Sequence, residues 1–219
     1  MTNPPALTLY FHPLSVYCQK ALVALYEHDA RFEPRIVDLS DEKSRATLTA
    51  LWPMTKFPVL RDDARGVTVP ESSIIIEYLD AHYAGKTHLV PSDPDAAWEC
   101  RLRDRFFDLH VTEPMSKIVT DNLRPEGRHD PEGVDRAKKA LRTAYGVAEE
   151  QLGTRTWALG DSFTMADCAA APALFYADKV VSFRDGYPRT AAYFARLLER
   201  PSFARVLKEA GPYLAMFPG

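Results

Sequence analysis

The sequence has only three cysteines, Cys18, Cys100 and Cys168, too few and too far apart for a disulfide framework or a zinc cluster, which points to a reducing compartment. Neither sign of charge dominates: 27 Lys and Arg stand against 30 Asp and Glu, so there is no broad basic field to hold a polyanion, and nucleic acid is not expected as a partner. Long apolar runs are missing too. The longest, Cys168 to Ala177, is ten residues with Pro172 inside it. A membrane-spanning helix needs about 20, so no membrane association is expected. The opening MTNPPALTLYF lacks a basic stretch followed by an apolar one, so it does not read as a signal peptide, and a cytoplasmic setting is expected. None of the six histidines has metal-ligand spacing with a cysteine or acidic partner, and no metal is expected.

Two textures meet near residue 85. Before it, strand-like runs at 7–11, 32–39, 57–62 and 66–70 alternate with helical patterns from Val16 to His28 and from Ser72 to Tyr83. This order reads as a βαβ unit, a hairpin and a closing helix. After it, apolar residues recur at helical spacing: Trp98, Leu102, Phe106 and Leu109, then Val134, Ala137, Leu141, Ala144, Ala148 and Leu152. Pro125, Gly127 and Pro131 separate these two helices, and two shorter ones meet at Pro201. The expected fold class is therefore α/β plus all-α. Residues 1–84 form the first domain, 85–93 a linker rich in turn residues, and 94–219 a helical bundle.

Four segments carry chemistry or folding signals. In FHPLSVYCQKALVAL (11–25) a strand gives way to a helix at Ser15, where unpaired backbone N–H groups favour an anion and a serine also serves as a cap. KFPVL (56–60) places Pro58 at a strand entry, which by itself suits an ordinary trans proline. In VPESSIIIEYLDAHY (69–83), Glu71 and Ser72 stand at the positive end of a helix. Finally, Thr164 and Asp167 form a capping box, with Phe163 and Cys168 at the positions of a hydrophobic staple, and Pro172 is expected to kink the helix that follows.

In this order and spacing the segments resemble the cytosolic glutathione transferase family, in its serine-type, bacterial-like form, over nearly the whole chain. The resemblance implies a thioredoxin-like first domain that binds glutathione as co-substrate and a helical domain that holds the electrophile. It assigns Ser15 as the hydroxyl that stabilises the thiolate, Lys56 as the contact to the glycyl carboxylate, and Glu71-Ser72 as the pair for the γ-glutamyl end. Phe57-Pro58 becomes a cis step whose backbone pairs with the cysteinyl residue like an added strand. The electrophile pocket is expected from Phe11, His12, Leu14, Phe106, His110 and Met115, and the oligomer as a homodimer. The family carries the same capping box, with a structural role.

S-V-Y-C (15–18) also echoes the C-P-Y-C of glutaredoxins, but Ser15 cannot form a mixed disulfide, and Cys18 reads as a small residue on the buried helix face. Tyr17 is the rival hydroxyl; Tyr10, on the strand, is expected in the core. A binding protein of the same fold without turnover, and a glutathione-dependent peroxidase or isomerase, are the alternatives.

Overall fold

The computed structural model describes residues 6–85 and 87–218. The ends of the expected domains at 1 and 219, and position 86 of the expected linker, lie outside the described residues. The first half is β1 (Leu7–Phe11), α1 (Val16–Glu27), β2 (Phe32–Ile36), α2 (Glu42–Leu51), β3 (Val59–Asp62), β4 (Val67–Pro70) and α3 (Ser72–His82). Its sheet runs β2-β1-β3-β4, with β1 and β2 parallel and the other pairs antiparallel. A parallel pair needs a crossover, and α1 supplies it. Pro34 is tolerated because β2 is an edge strand. This is the thioredoxin-like arrangement.

One expectation changes here. The strand expected over 32–39 ends at Ile36, because Asp38 turns the chain by accepting from the backbone N–H and hydroxyl of Ser40 at 2.8 and 2.7 Å. The helix α2 carries no apolar stripe, since only Leu48 is buried; its start is marked instead by Asp41, which accepts from Ser44 N at 2.7 Å.

The second half is helical: α4 (Pro94–Phe106), a π-helical turn (Phe107–Thr112), α5 (Glu113–Asn122), α6 (Pro131–Leu152), α7 (Met165–Val180), α8 (Pro188–Glu199) and α9 (Pro201–Ala210), closed by a 3-10 turn (Gly211–Met216). The α6 period is buried as read, at Ala137, Leu141, Ala144, Ala148 and Leu152. On α4 and the π-helical turn the apolar period marks the outer face instead: Trp98, Leu102 and Leu109 are 57%, 55% and 51% exposed, while Ala97, Cys100 and Asp104 of α4 are buried. The capping box is formed, with Asp167 accepting from Thr164 N at 2.8 Å, and α7 continues through Pro172 to Val180. Among the described residues no helix is long and apolar enough to cross a membrane.

One contiguous core runs through both halves. It is bridged at α1, where Gln19 Nε2 donates to Tyr176 Oη at 2.9 Å and to the Pro13 carbonyl at 2.8 Å. Arg200 also grips Glu27 through two bonds of 2.8 and 2.6 Å, with Ser202 adding a third at 2.5 Å. The helical domain is thereby fixed against the helix that opens at Ser15.

Candidate active site

Ser15 caps α1 in extended conformation, and its Oγ accepts from Cys18 N at 3.3 Å. That bond uses an oxygen lone pair and leaves the hydroxyl proton free for another acceptor. Tyr17 is arranged the opposite way: its hydroxyl donates to Glu113 Oε1 at 2.8 Å. Burial, then that bond and the Glu113 charge, push its phenol well above its ordinary range. Cys18 is fully buried beneath Ser15, and burial pushes its thiol up to about 12, which leaves it a poor nucleophile.

A cavity of about 230 Å³ gathers Lys56, Phe57, Pro58, Glu71 and Ser72 from two separate segments. The Phe57-Pro58 peptide is cis. Glu71 sits at φ 70°, a backbone conformation that L-residues rarely adopt, and its side chain makes no capping bond to α3. Strain at a residue facing a cavity is characteristic of a ligand-binding position. Ser72 is buried at the first turn of α3, where backbone N–H groups lack helical partners. The walls therefore offer a cation from Lys56, and N–H donors beside a carboxylate where α3 begins.

The sequence reading missed five further lining residues, Trp52 from the first half and Arg105, Asp108, Leu109 and Glu113 from the helical half. Behind Asp108 stands Lys20, wholly buried, with Nζ 2.7 Å from Asp108 Oδ2, 2.6 Å from Asp104 Oδ1 and 2.8 Å from Ser73 Oγ. Burial raises the Asp108 pKa and Asp104 adds to it, while Lys20 and Arg105 oppose. The signal was present: a lysine inside the apolar run VYCQKALVAL, and aspartates four apart at 104 and 108.

A second cavity, of about 240 Å³, adjoins Ser15, and Tyr17 borders both. Leu14 and Met115 line it, joined by Val119, Leu123, Phe217 and Pro218. The tail is held there by Asn122 Nδ2 donating to the Pro218 carbonyl at 2.8 Å, and by the Phe217 ring 4.9 Å from that of Tyr176.

The other expected pocket residues are not brought to this place. Phe106 and His110 line a groove with Pro114, Ala140 and Val147, because the π-helical turn breaks the α-helical phase between them and Met115. Phe11 points into the packing between β2, α1 and α9, lining a cavity with Phe32 and Val206. His12 stacks on Phe57 at 5.9 Å and meets Tyr213 at 6.3 Å.

The same two-part organisation is found in known proteins. Residues 9–87 match the family description "Glutathione S-transferase, N-terminal domain" and residues 131–196 "Glutathione S-transferase, C-terminal domain". A glutathione S-transferase from Methylobacillus flagellatus, solved with glutathione bound, is 27% identical with a TM-score of 0.84, covering 91% of this chain and 98% of that one. One from Methylobacterium radiotolerans, solved with glutathione sulfonate, is 28% identical with a TM-score of 0.81, over 91% and 93%. Among curated proteins, human elongation factor 1-gamma is 28% identical over 92% of this chain, which spans 46% of that protein's length. Matched in both halves by these descriptions and superposable along most of its length on solved members, the chain belongs to the glutathione S-transferase family.

Proposed function

We propose that the protein is a serine-type glutathione transferase that transfers alkyl or aryl groups to glutathione, with residues 1–84 binding glutathione, 85–93 linking, and 94–219 completing the electrophile pocket. The observation that carries this is the convergence of Lys56, Phe57, Pro58, Glu71 and Ser72 on one cavity, bordered by Tyr17 next to Ser15. Glutathione is an extended tripeptide with a carboxylate at each end. Lys56 suits the glycyl carboxylate, the α3 N-terminus suits the γ-glutamyl carboxylate, and the Phe57 backbone pairs with the cysteinyl residue. The thiol then lies toward Ser15, whose free proton stabilises the thiolate.

The adjoining cavity is walled by apolar side chains and hydroxyls, a setting for a small uncharged electrophile. With 1-chloro-2,4-dinitrobenzene the thiolate sulfur bonds to the ring carbon, chloride leaves with the electron pair, and the thiol proton passes to solvent. The exposed Trp98, Leu102 and Leu109, with Ile74 of α3 at 52% exposure, favour a homodimer in which each first domain packs on the partner's helical domain. Detoxification in the cytoplasm is the role that fits.

Retention on immobilised glutathione together with turnover of 1-chloro-2,4-dinitrobenzene tests the reading. Elution without retention would sink it. A non-catalytic binding module is the second reading, favoured by the match to elongation factor 1-gamma over 92% of the chain. Retention without turnover of aryl halides, peroxides or cis-enoyl acids would select it, and turnover of the last two alone would select a peroxidase or isomerase.

A further inference from the structure

We propose that Glu113 is a specificity-determining residue for the electrophile, favouring cationic electrophiles and turning anionic ones away, with Tyr17 as the positioning residue that holds its carboxylate. This rests on reading the two cavities as glutathione and electrophile sites. Every side chain that lines the cavity beside Ser15 is uncharged. Three of them, Thr112, Met115 and Ser116, flank Glu113 in sequence, and Glu113 itself lines the glutathione cavity. Its Oε1 accepts the hydroxyl proton of Tyr17 at 2.8 Å, and Tyr17 borders both cavities. The carboxylate is thereby tethered where the two cavities meet, although Glu113 is an exposed residue that could otherwise swing into solvent. Burial keeps the Tyr17 phenol protonated, so it remains a donor across the working pH range.

The tether would matter little if another group cancelled the charge. Arg105, the cation that lines the glutathione cavity from α4, is committed to Asp104 and Asp108, and Lys20 pairs with the same two carboxylates. Two positive charges meet two negative ones there, and nothing is left over for Glu113. Lys56 and Glu71, the other charged lining residues, stand at the segments that answer the two ends of glutathione. Among the described residues Glu113 forms no ion pair; its partner is the neutral phenol. An electrophile entering the uncharged cavity therefore meets two negative charges, the thiolate at Ser15 and the Glu113 carboxylate. The thiolate is required by the reaction, whereas Glu113 is a choice made by this sequence. Walls of apolar side chains screen charge poorly, so a positive ring is drawn in and a carboxylate on the ring is repelled.

The test uses the full chain at pH 7.5 and three aryl chlorides: neutral 1-chloro-2,4-dinitrobenzene, anionic 4-chloro-3,5-dinitrobenzoate and cationic 4-chloro-1-methylpyridinium. In each, the thiolate sulfur bonds to the ring carbon that carries chlorine, and chloride leaves with the electron pair of the broken bond. Each kcat/KM is divided by the uncatalysed rate constant with glutathione and then by the value for the neutral compound, which cancels intrinsic reactivity and any general loss of activity. Glu113→Gln, whose amide oxygen still accepts from Tyr17, should raise the anion and lower the cation, each about 3- to 10-fold, the range that one unit charge exerts on another across a partly solvated pocket. Glu113→Lys should carry both shifts further in the same direction. Tyr17→Phe should move both in that direction by less, and an unchanged ratio there would overturn the part given to Tyr17. The wild-type preference for cation over anion should shrink at 1 M NaCl, where charges are screened beyond about 3 Å. Equal changes for all three substrates in the Glu113 variants would show a merely structural glutamate and overturn the proposal while leaving the transferase reading standing. Wild type that turns over none of the three would remove the functional reading itself.

Discussion

Tyr17 donates its hydroxyl proton to Glu113 at 2.8 Å, whereas Ser15, two residues earlier on the same helix opening, accepts from Cys18 N and keeps its proton. A thiolate needs a donor. Between the two hydroxyls the geometry favours Ser15, because a thiolate would have to displace a carboxylate from Tyr17.

The first prediction follows from that difference. A free thiol has a pKa near 8.5, and bringing it to about 6.5 requires roughly 2.7 kcal/mol of preferential stabilisation of the anion. One charge-assisted bond from Ser15, worth about 1.5–3 kcal/mol, and a helix dipole worth about 0.3–1 together cover it. Ser15→Ala should lower turnover roughly ten- to a hundredfold and raise the thiol pKa seen by thiolate absorbance in the glutathione complex. Tyr17→Phe should leave that titration nearly unchanged; the reverse pattern would reassign the hydroxyl.

Glu71 offers a test in which stability and affinity move apart. Its φ of 70° costs about 1–3 kcal/mol in a residue with a side chain, and glycine relieves that strain. Glu71→Gly should therefore raise stability by about 1 kcal/mol in urea unfolding while raising KM for glutathione about tenfold with little change in kcat. Parallel losses of stability and affinity would refute the assignment.

For the capping box the two partners should differ. Thr164→Ala removes one cap and should cost about 1 kcal/mol. Asp167 also accepts from Ala158 N at 2.8 Å and from the Tyr193 hydroxyl at 2.6 Å, all in the interior, so Asp167→Ala strands several donors and should cost about 3–5 kcal/mol. Denaturant midpoints distinguish the two. A variant that kept its stability but lost turnover would show that the box has a catalytic role.

Glu27 predicts a pH dependence. Burial alone would push its carboxyl up, but the bonds from Arg200 and Ser202 and the Arg200 charge outweigh that and hold it below its ordinary value. A depressed folded pKa contributes stability that is present above the unfolded value, about 4.3, and is lost as pH falls through the folded one. Glu27→Gln should thus cost about 2–3 kcal/mol at pH 7, with the gap to wild type closing between pH 5 and pH 3. A gap constant with pH would contradict it.

The exposed stripe on α4 gives a prediction about assembly. Light scattering at micromolar concentration should find a dimer for wild type and a folded monomer for the double variant Trp98→Glu, Leu102→Glu. A wild-type monomer would show that the stripe has another use.

How much of this was legible in the sequence depended on whether the signal was local. The helix starts at Ser15 and Thr164 stand where they were read, because capping is decided within four residues, whereas the cap position of α3 falls on Glu71 rather than Ser72 and carries no side-chain capping bond. The α4 stripe was misleading, since periodicity reports which residues share a face and not whether that face is covered. Lys56, Phe57, Pro58, Glu71 and Ser72 were identified through a family pattern, and the fold gathers them. Phe106 and His110 line a different groove from Leu14 and Met115, a separation the sequence did not disclose because a π-helical turn leaves no mark in apolar spacing. Asp108 was missed because its surroundings are assembled from residues 88 positions away, at Lys20, and 35 away, at Ser73.

The burial of α1 has a consequence for how the molecule comes apart. Nine of its 12 residues are buried, packed against α3 of its own half and against α7 and α9 of the helical half. A protease that severs the segment between α3 and α4 would therefore cut the chain without releasing a piece. The fragments would stay clasped through Glu27 and Arg200 and through Gln19 and Tyr176, and part only when the whole particle melts.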